Sequence, residues 1–328
     1  MMCVQIGERD KRHFEVIQHT PESIDTWLNE LHKTAKVNIT VAVKLTKGPI
    51  VYALQKDSFV TAFIIHGLTL ARYRQAMFPS SAKDAPMDAE LALDMMLTYP
   101  NKVKLLRPSS DGSRTLALLV EQRRSLMEDR RRNTNRLINA IKQYYPPPLE
   151  WLCHRDNQIF CDFLIKGPAL HTVKRAKTTS IVKCFQARGG NAVSNTEKRV
   201  KAINEAIPLT QDHSVILPHK LLVVALCKQI LTLIDNIRIY DKQISQLFNC
   251  MPDAELFNSL PGTGLCLAPR LLAALGEDRT RFNSAQEIQI YAGLSPVTER
   301  SEQKCWVYWR CQRSKFVRQS FIESLQKV

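Results

Sequence analysis

Between Arg300 and Arg318 the chain carries Arg300, Lys304, Arg310, Arg313, Lys315 and Arg318, interleaved with Trp306, Tyr308, Trp309 and Phe316 and opposed by a single acid, Glu302. Cations at this density neutralise phosphates, and aromatic faces stack on bases, so the segment is suited to holding DNA or RNA. The same pattern also describes a strand that keeps Trp306 and Trp309 in a core and its basic side chains in solvent. Arg123-Arg124 and Arg130-Arg131-Arg132 form a second basic concentration, within reach of Glu121, Glu128 and Asp129 if the segment is helical.

Upstream, Leu260-Pro261-Gly262-Thr263-Gly264 precedes an apolar run from Leu265 to Leu275. Gly262 and Gly264 permit a tight turn and leave N–H groups facing outward at a helix N-terminus, where the dipole favours an anion such as phosphate. The segment resembles the second half of a helix-hairpin-helix DNA-binding element, and a plain tight turn between helices reads the same way.

Other chemistries are excluded by pattern. The eight His show no His-x-x-x-His spacing. The nine Cys contain no Cys-x-x-Cys, and Cys305 and Cys311 lack zinc-finger partners. Phosphate-binding glycine loops, dinucleotide fingerprints and Ser-His-Asp sets are absent from the sequence. The 328 residues are 45% hydrophobic and 23% charged, which excludes a wholly disordered chain, and 46 Lys plus Arg against 31 Asp plus Glu leave a net charge of +15, which points to a polyanionic partner. No apolar run is expected to span a membrane, and Met1 to Arg12 is too polar for a secretory signal. The expectation is a soluble, cytoplasmic protein with free thiols.

The elements that must position these residues fall into three stretches. Short strands are expected at Cys3–Ile6 and His13–Ile17, then a helix opening at Pro21 with Ile24, Trp27, Leu28 and Leu31 on one face. A strand over Asn38–Val43, a helix from Gly48-Pro49 through Leu54, a strand over Phe59–Ile65 and a closing helix over Asp84–Leu97 complete an α/β layer with a largely buried sheet. Pro108 to Gly112 reads as a linker. Ser113–Tyr145 lacks Gly and Pro and predicts one helix of about 30 residues, with a polar middle from Glu128 to Arg136. A second long helix over Pro218–Asn249 carries an apolar seam of Val223, Ile230, Ile234, Ile237, Ile244 and Leu247, so the two are expected to pack antiparallel. The resulting organisation is an α/β domain over 1–108, an all-α, coiled-coil-like region over 109–251 and a compact block over 252–328.

Several further segments carry a resemblance: Ser81-Ala82-Lys83-Asp84 with Pro86 and Asp88-Ala89-Glu90, the Leu260 to Gly264 turn, Arg281-Phe282-Asn283-Ser284-Ala285, Tyr291-Ala292-Gly293-Leu294-Ser295-Pro296-Val297, and Arg300-Ser301. In this order they resemble the bacterial insertion-sequence transposases that join an N-terminal RuvC-like (RNase H-like) DEDD domain to a C-terminal serine domain. The resemblance implies a DNA transposase that excises and inserts its element by recombination. Its implied partners are the element's DNA ends, target DNA and a structured guide RNA, acting in a dimer or tetramer.

It also implies site residues. Ser301 matches the serine that attacks DNA, with Arg300 and Lys304 beside it to stabilise charge on the phosphate. Glu302 replaces the glycine usual after that serine. The family's four acids, which hold a divalent metal such as Mg²⁺, correspond to Gly7, Lys44, Ala85 and Asp88, so Asp88 alone remains as a metal ligand. Glu8, Asp10, Asp84 and Glu90 are neighbouring acids, and those one position away on a strand face the other side of the sheet. These replacements set a rival expectation, a decayed copy that binds DNA or structured RNA without cutting it. A helical scaffold for protein partners is a third reading, and it leaves the basic tail unexplained.

Overall fold

The computed structural model describes residues 1–7, 11–78, 84–106, 109–152, 154–186, 193–280, 282–301, 304–310 and 315–326. Two compact units divide between Pro108 and Ser109.

The N-terminal unit opens with β1 (Met2–Val4) paired antiparallel to β2 (His13–Glu15). α1 (Pro21–Ala35) starts where Thr20 accepts a hydrogen bond from the Ser23 N–H and Pro21 supplies a ready helical φ, and it stops at Lys36 in the left-handed region. β3 (Ile39–Val43) runs parallel to β4 (Val60–Ile64), with α2 (Pro49–Leu54) as the crossover, and β5 (Lys104–Leu105) adds antiparallel to β4. α3 (Gly67–Met77) and α4 (Ala85–Thr98) follow β4.

Alternation along β4 explains the layering: Ala62 packs with Ile24, Leu28 and Leu54 from α1 and α2, whereas Phe63 and Ile65 pack with Leu70, Leu91 and Met95 from α3 and α4. Both faces are covered, which is why this part of the sequence is nearly continuous in apolar residues. The expected single sheet is not what forms among the described residues. β1–β2 and β3–β4–β5 are separate sheets. The three residues of β1 spend their ladder on β2, and α4 packs against both β1 and β3.

The second unit is helical, with a terminal hairpin. α5 (Asp111–Lys142) is followed by α6 (Pro148–Trp151), α7 (Gln158–Lys166), α8 (Leu170–Arg175), α9 (Thr178–Gln186) and α10 (Val193–Glu205). α11 (His213–Asn249) leads to α12 (Ala254–Asn258), α13 (Gly264–Leu275) and α14 (Ala285–Ala292), then to the antiparallel pair β6 (Val297–Ser301) and β7 (Lys304–Tyr308), and to α15 (Lys315–Leu325).

α5 and α11 run antiparallel. Leu116 and Val120 near the start of α5 share a core with Ile244 and Phe248 near the end of α11, while Leu137 and Ile141 meet Val223, Leu226 and Ile230. The first of these cores also takes in Phe257, Leu271 and Leu272, so the stretch from 252 onward packs on the ends of the long helices. The polar middle of α5 is largely neutralised within the unit by Arg124–Glu128 at 3.2 Å, Arg130–Asp156 at 2.8 Å and the pairs Arg132–Asp129 and Arg123–Asp241.

One expectation needs correction. α11 is long and apolar enough, by length and composition alone, to cross a membrane. Val223, Leu226, Cys227, Ile230 and Ile234 of this helix are buried in the core it shares with α5 and α7, while Leu217, Leu221, Leu222 and Ile239 are exposed.

Candidate functional site

In the N-terminal unit the four positions aligned with the acidic centre come together. Gly7, Lys44, Ala85 and Asp88 all border one cavity of 740 Å³ between β1, β3 and α4, whose remaining walls include Trp27, Ile39 and Met96. Asp88 sits in the first turn of α4, 7% exposed. Its Oδ2 accepts a hydrogen bond from Lys44 Nζ at 2.8 Å and its Oδ1 accepts one from Arg74 Nη1 at 2.6 Å. Burial opposes the charge of Asp88, but the hydrogen bonds and charges of Lys44 and Arg74 outweigh it and hold the carboxyl below the ordinary aspartate range.

This arrangement does not fit a divalent metal. Such ions are held by several anionic or carbonyl oxygens, whereas both oxygens of the one remaining acid are engaged by cations. Among the described residues, no three His, Cys, Asp or Glu gather at one point. Asp88, expected as a metal ligand, is in this structure the shared anion of a Lys44–Asp88–Arg74 ion triad. Two of the neighbouring acids lie among the described residues. Asp84 borders the cavity as a single carboxylate, Glu90 pairs with Arg12 at 3.4 Å, and Glu8 and Asp10 lie outside the described residues. Arg74 had no signal in the sequence. It stands on α3, fourteen positions before Asp88, and only the packing of α3 on α4 brings the two together.

In the second unit, Ser301 ends β6 and is exposed. The register pairs it with Lys304, Arg300 with Cys305, and Glu299 with Trp306. Directly opposed residues of an antiparallel pair share a face, and alternate residues along a strand share it too. Ser301, Lys304, Trp306, Tyr308 and Glu299 therefore lie on one face of the hairpin, with Thr298, Arg300, Cys305 and Val307 on the other. Arg300, expected beside Ser301, is on the opposite side of the pleat. Glu299 was missed, although its spacing of two residues from Ser301 was available as a signal.

Every residue of β7 is exposed. Trp306 is 42% and Trp309 70% exposed, which removes the reading in which these rings fill a core. The ring of Trp309 is covered on one side by Arg318, whose guanidinium carbon is 4.2 Å from its centroid. Arg310 donates through Nε to the Ser295 carbonyl at 3.2 Å, and Lys315 is exposed at the start of α15. Arg313 and Glu302 lie outside the described residues.

The glycine turn adopts the conformation its composition predicts, with φ of 73° at Gly262 and 51° at Gly264. A Cβ at Gly264 would meet nothing within 4 Å, so glycine is needed there for its backbone angle and not for space. Between them Thr263 is buried and donates its hydroxyl to the carbonyls of Leu260 at 2.7 Å and Phe257 at 3.1 Å, which locks the turn onto α12.

Residues 2–146 match the DEDD-type IS110 family model described as Transposase, and residues 254–328 match the model described as Transposase IS116/IS110/IS902 family. The chain is 26% identical over 279 residues to the IS117 mini-circle protein of Streptomyces coelicolor, whose name gives it a transposase role, and 22% identical over 274 residues to the IS110 protein of the same organism. Each alignment covers 82% of this chain and 66% of the relative, so the chain spans slightly less than two thirds of the length of these relatives. A pilin gene-inverting protein of Moraxella bovis is 44% identical over 71 residues, 20% of this chain and 22% of that protein. The two models together take in well over half of the sequence, one at each end, and the chain belongs to the IS110/IS116 family of insertion-element transposases.

Proposed function

We propose that this polypeptide acts on the DNA ends of an insertion element and that its own chemistry resides in the C-terminal hairpin, with Ser301 as the nucleophile. The observation that carries this reading is the exposed Ser301 hydroxyl on the same hairpin face as Lys304 and Trp306. Attack of the Ser301 oxygen on a DNA phosphorus forms a phosphoserine link, and the released strand end takes up the serine's proton as its hydroxyl. Lys304 supplies positive charge where the phosphate gains negative charge, and Trp306 offers a ring on which a displaced base stacks. Arg310, Lys315 and the Gly262–Gly264 turn belong to the surrounding nucleic-acid surface, Arg300 serves it from the opposite side, and Arg313, outside the described residues, is given the same role from the sequence alone. A RuvC-like origin for the N-terminal unit, a structured guide RNA and a dimeric or tetrameric assembly are parts of the same proposal. No step is routed through a metal at Asp88.

The test is a recombination assay on element-end DNA with the full chain, scored for product and for a covalent protein–DNA adduct. Ser301→Ala is expected to lower both by about four orders of magnitude while leaving DNA binding in place. Equal activity in the two proteins removes Ser301 from the mechanism.

A second reading is favoured by one observation, the ion triad at Asp88: a copy that grips nucleic acid without exchanging strands. It predicts recombination only after Gly7→Asp, Lys44→Glu, Ala85→Asp and Glu302→Gly are combined.

A further inference from the structure

We infer that a cavity in the helical unit binds a nucleotide unit through its phosphate, a site independent of Ser301 and of the acidic centre. The cavity measures 550 Å³ and lies between the end of α5, helix α8, the segment before α11 and the first turn of α11. His171, Lys174 and Arg175 from α8 and His213 from α11 border it, and all four are exposed. No carboxylate stands among the residues that line it. The acids nearest in sequence are already engaged: Asp212 accepts hydrogen bonds from the Ser214 N–H and hydroxyl, and Glu205 lies 3.8 Å from Lys201.

Along α5, by contrast, Arg123, Arg124, Arg130 and Arg132 are each matched by an acid. Lys174 is held in place by donating to the Asn204 carbonyl at 2.9 Å, which leaves two of its three N–H groups for an anion. Arg175 beside it presents the planar fork that suits a phosphate. The floor is different in kind. Tyr144 is buried there, its hydroxyl turned away to the Pro168 carbonyl at 2.6 Å, and Ile216 adds an aliphatic wall. An apolar floor under a cationic rim matches a flat base joined to a phosphate, and the volume falls in the range of small-ligand sites.

The probes are adenosine 5′-monophosphate, adenosine and inorganic phosphate, titrated by calorimetry into the full chain. The monophosphate is expected to bind at least about tenfold more tightly than either part alone, because charged hydrogen bonds and base burial both contribute. Arg175→Ala, at an exposed position, and Lys174→Met are each expected to weaken monophosphate binding about tenfold, with thermal melting as the check on folding. A 5′-phosphorylated tetranucleotide is expected to compete with the monophosphate, and its 5′-hydroxyl counterpart is not. Adenosine binding as tightly as its monophosphate, inorganic phosphate matching the monophosphate, or unchanged binding in both folded variants overturns the assignment.

Discussion

The Lys44–Asp88–Arg74 centre and the β6–β7 hairpin are both charged, but they direct their charge oppositely. At Asp88 the carboxylate is engaged by two cations, with Arg74 12% and Asp88 10% exposed at the side chain, so the acid is fully paired and the triad keeps one net positive charge. On the hairpin, Lys304 and Trp306 are exposed on the same face as Ser301, and every described residue of the two strands except Val297 is exposed. A centre whose carboxylate is taken up by two cations has little capacity left for a metal, and removing that carboxylate leaves buried charge unpaired. A surface that leaves its charge and rings exposed contributes little to stability and is free to bind.

The largest expected effect that tests this contrast is Asp88→Ala. It leaves the largely covered Arg74 and the exposed Lys44 without their shared anion, and the cost is expected to be about 3–5 kcal/mol in urea unfolding, most of it from Arg74. Ser301→Ala is expected to leave stability within about 0.5 kcal/mol, as exposed substitutions do. Comparable losses in the two variants break the comparison. Next in size is the response to magnesium. The thermal midpoint of the natural chain is expected to be unchanged by Mg²⁺. Combining Gly7→Asp, Lys44→Glu and Ala85→Asp adds three carboxylates to Asp84 and Asp88 around the cavity, and saturating Mg²⁺ at about a hundred times its dissociation constant then adds about 2.7 kcal/mol. A magnesium-dependent rise in the natural chain would show that the ion triad yields to the metal.

How far these two regions were legible in the sequence differs for the same physical reason. α5 and α11 and their antiparallel pairing follow from local periodicity, and so do β3, α2 and β4 in the first unit. The glycine turn was readable because positive φ at Gly262 and Gly264 is a local demand. The split between β1 and β3 was not readable, since strand pairing is decided by distant partners. Nor was Arg74, whose link to Asp88 depends on how α3 lies on α4. Ser301 and Lys304 were found as residues, but their common face required the register, and Arg300 was misplaced until the pleat was known.

A smaller effect sharpens the hairpin side. Trp306→Ala is expected to weaken single-stranded DNA binding by about 1–3 kcal/mol, the worth of one stacked base, with the urea midpoint unchanged because the ring is already 42% exposed. Trp309→Ala is expected to cost less in binding, since Arg318 already lies against one face of that ring. Fluorescence anisotropy at fixed salt separates the two, and a larger loss at Trp309 would move the stacking site off the Ser301 face.

The smallest effect is the pH dependence of the triad, and its sign is fixed. The folded-state pKa of Asp88 lies below its ordinary value of 3.8, so the ionised carboxylate stabilises the fold fully above that value, and the contribution is lost as the pH falls through the lower folded-state value. Asp88→Asn retains the shape and cannot ionise, so subtracting its stability from that of the natural chain isolates this one group from the other acids. The difference is expected to be constant above about pH 5 and to shrink on acidification below 3.8. A difference that stays flat to pH 2, or grows, would mean that Lys44 and Arg74 do not hold Asp88 ionised, and the ion triad would lose its basis.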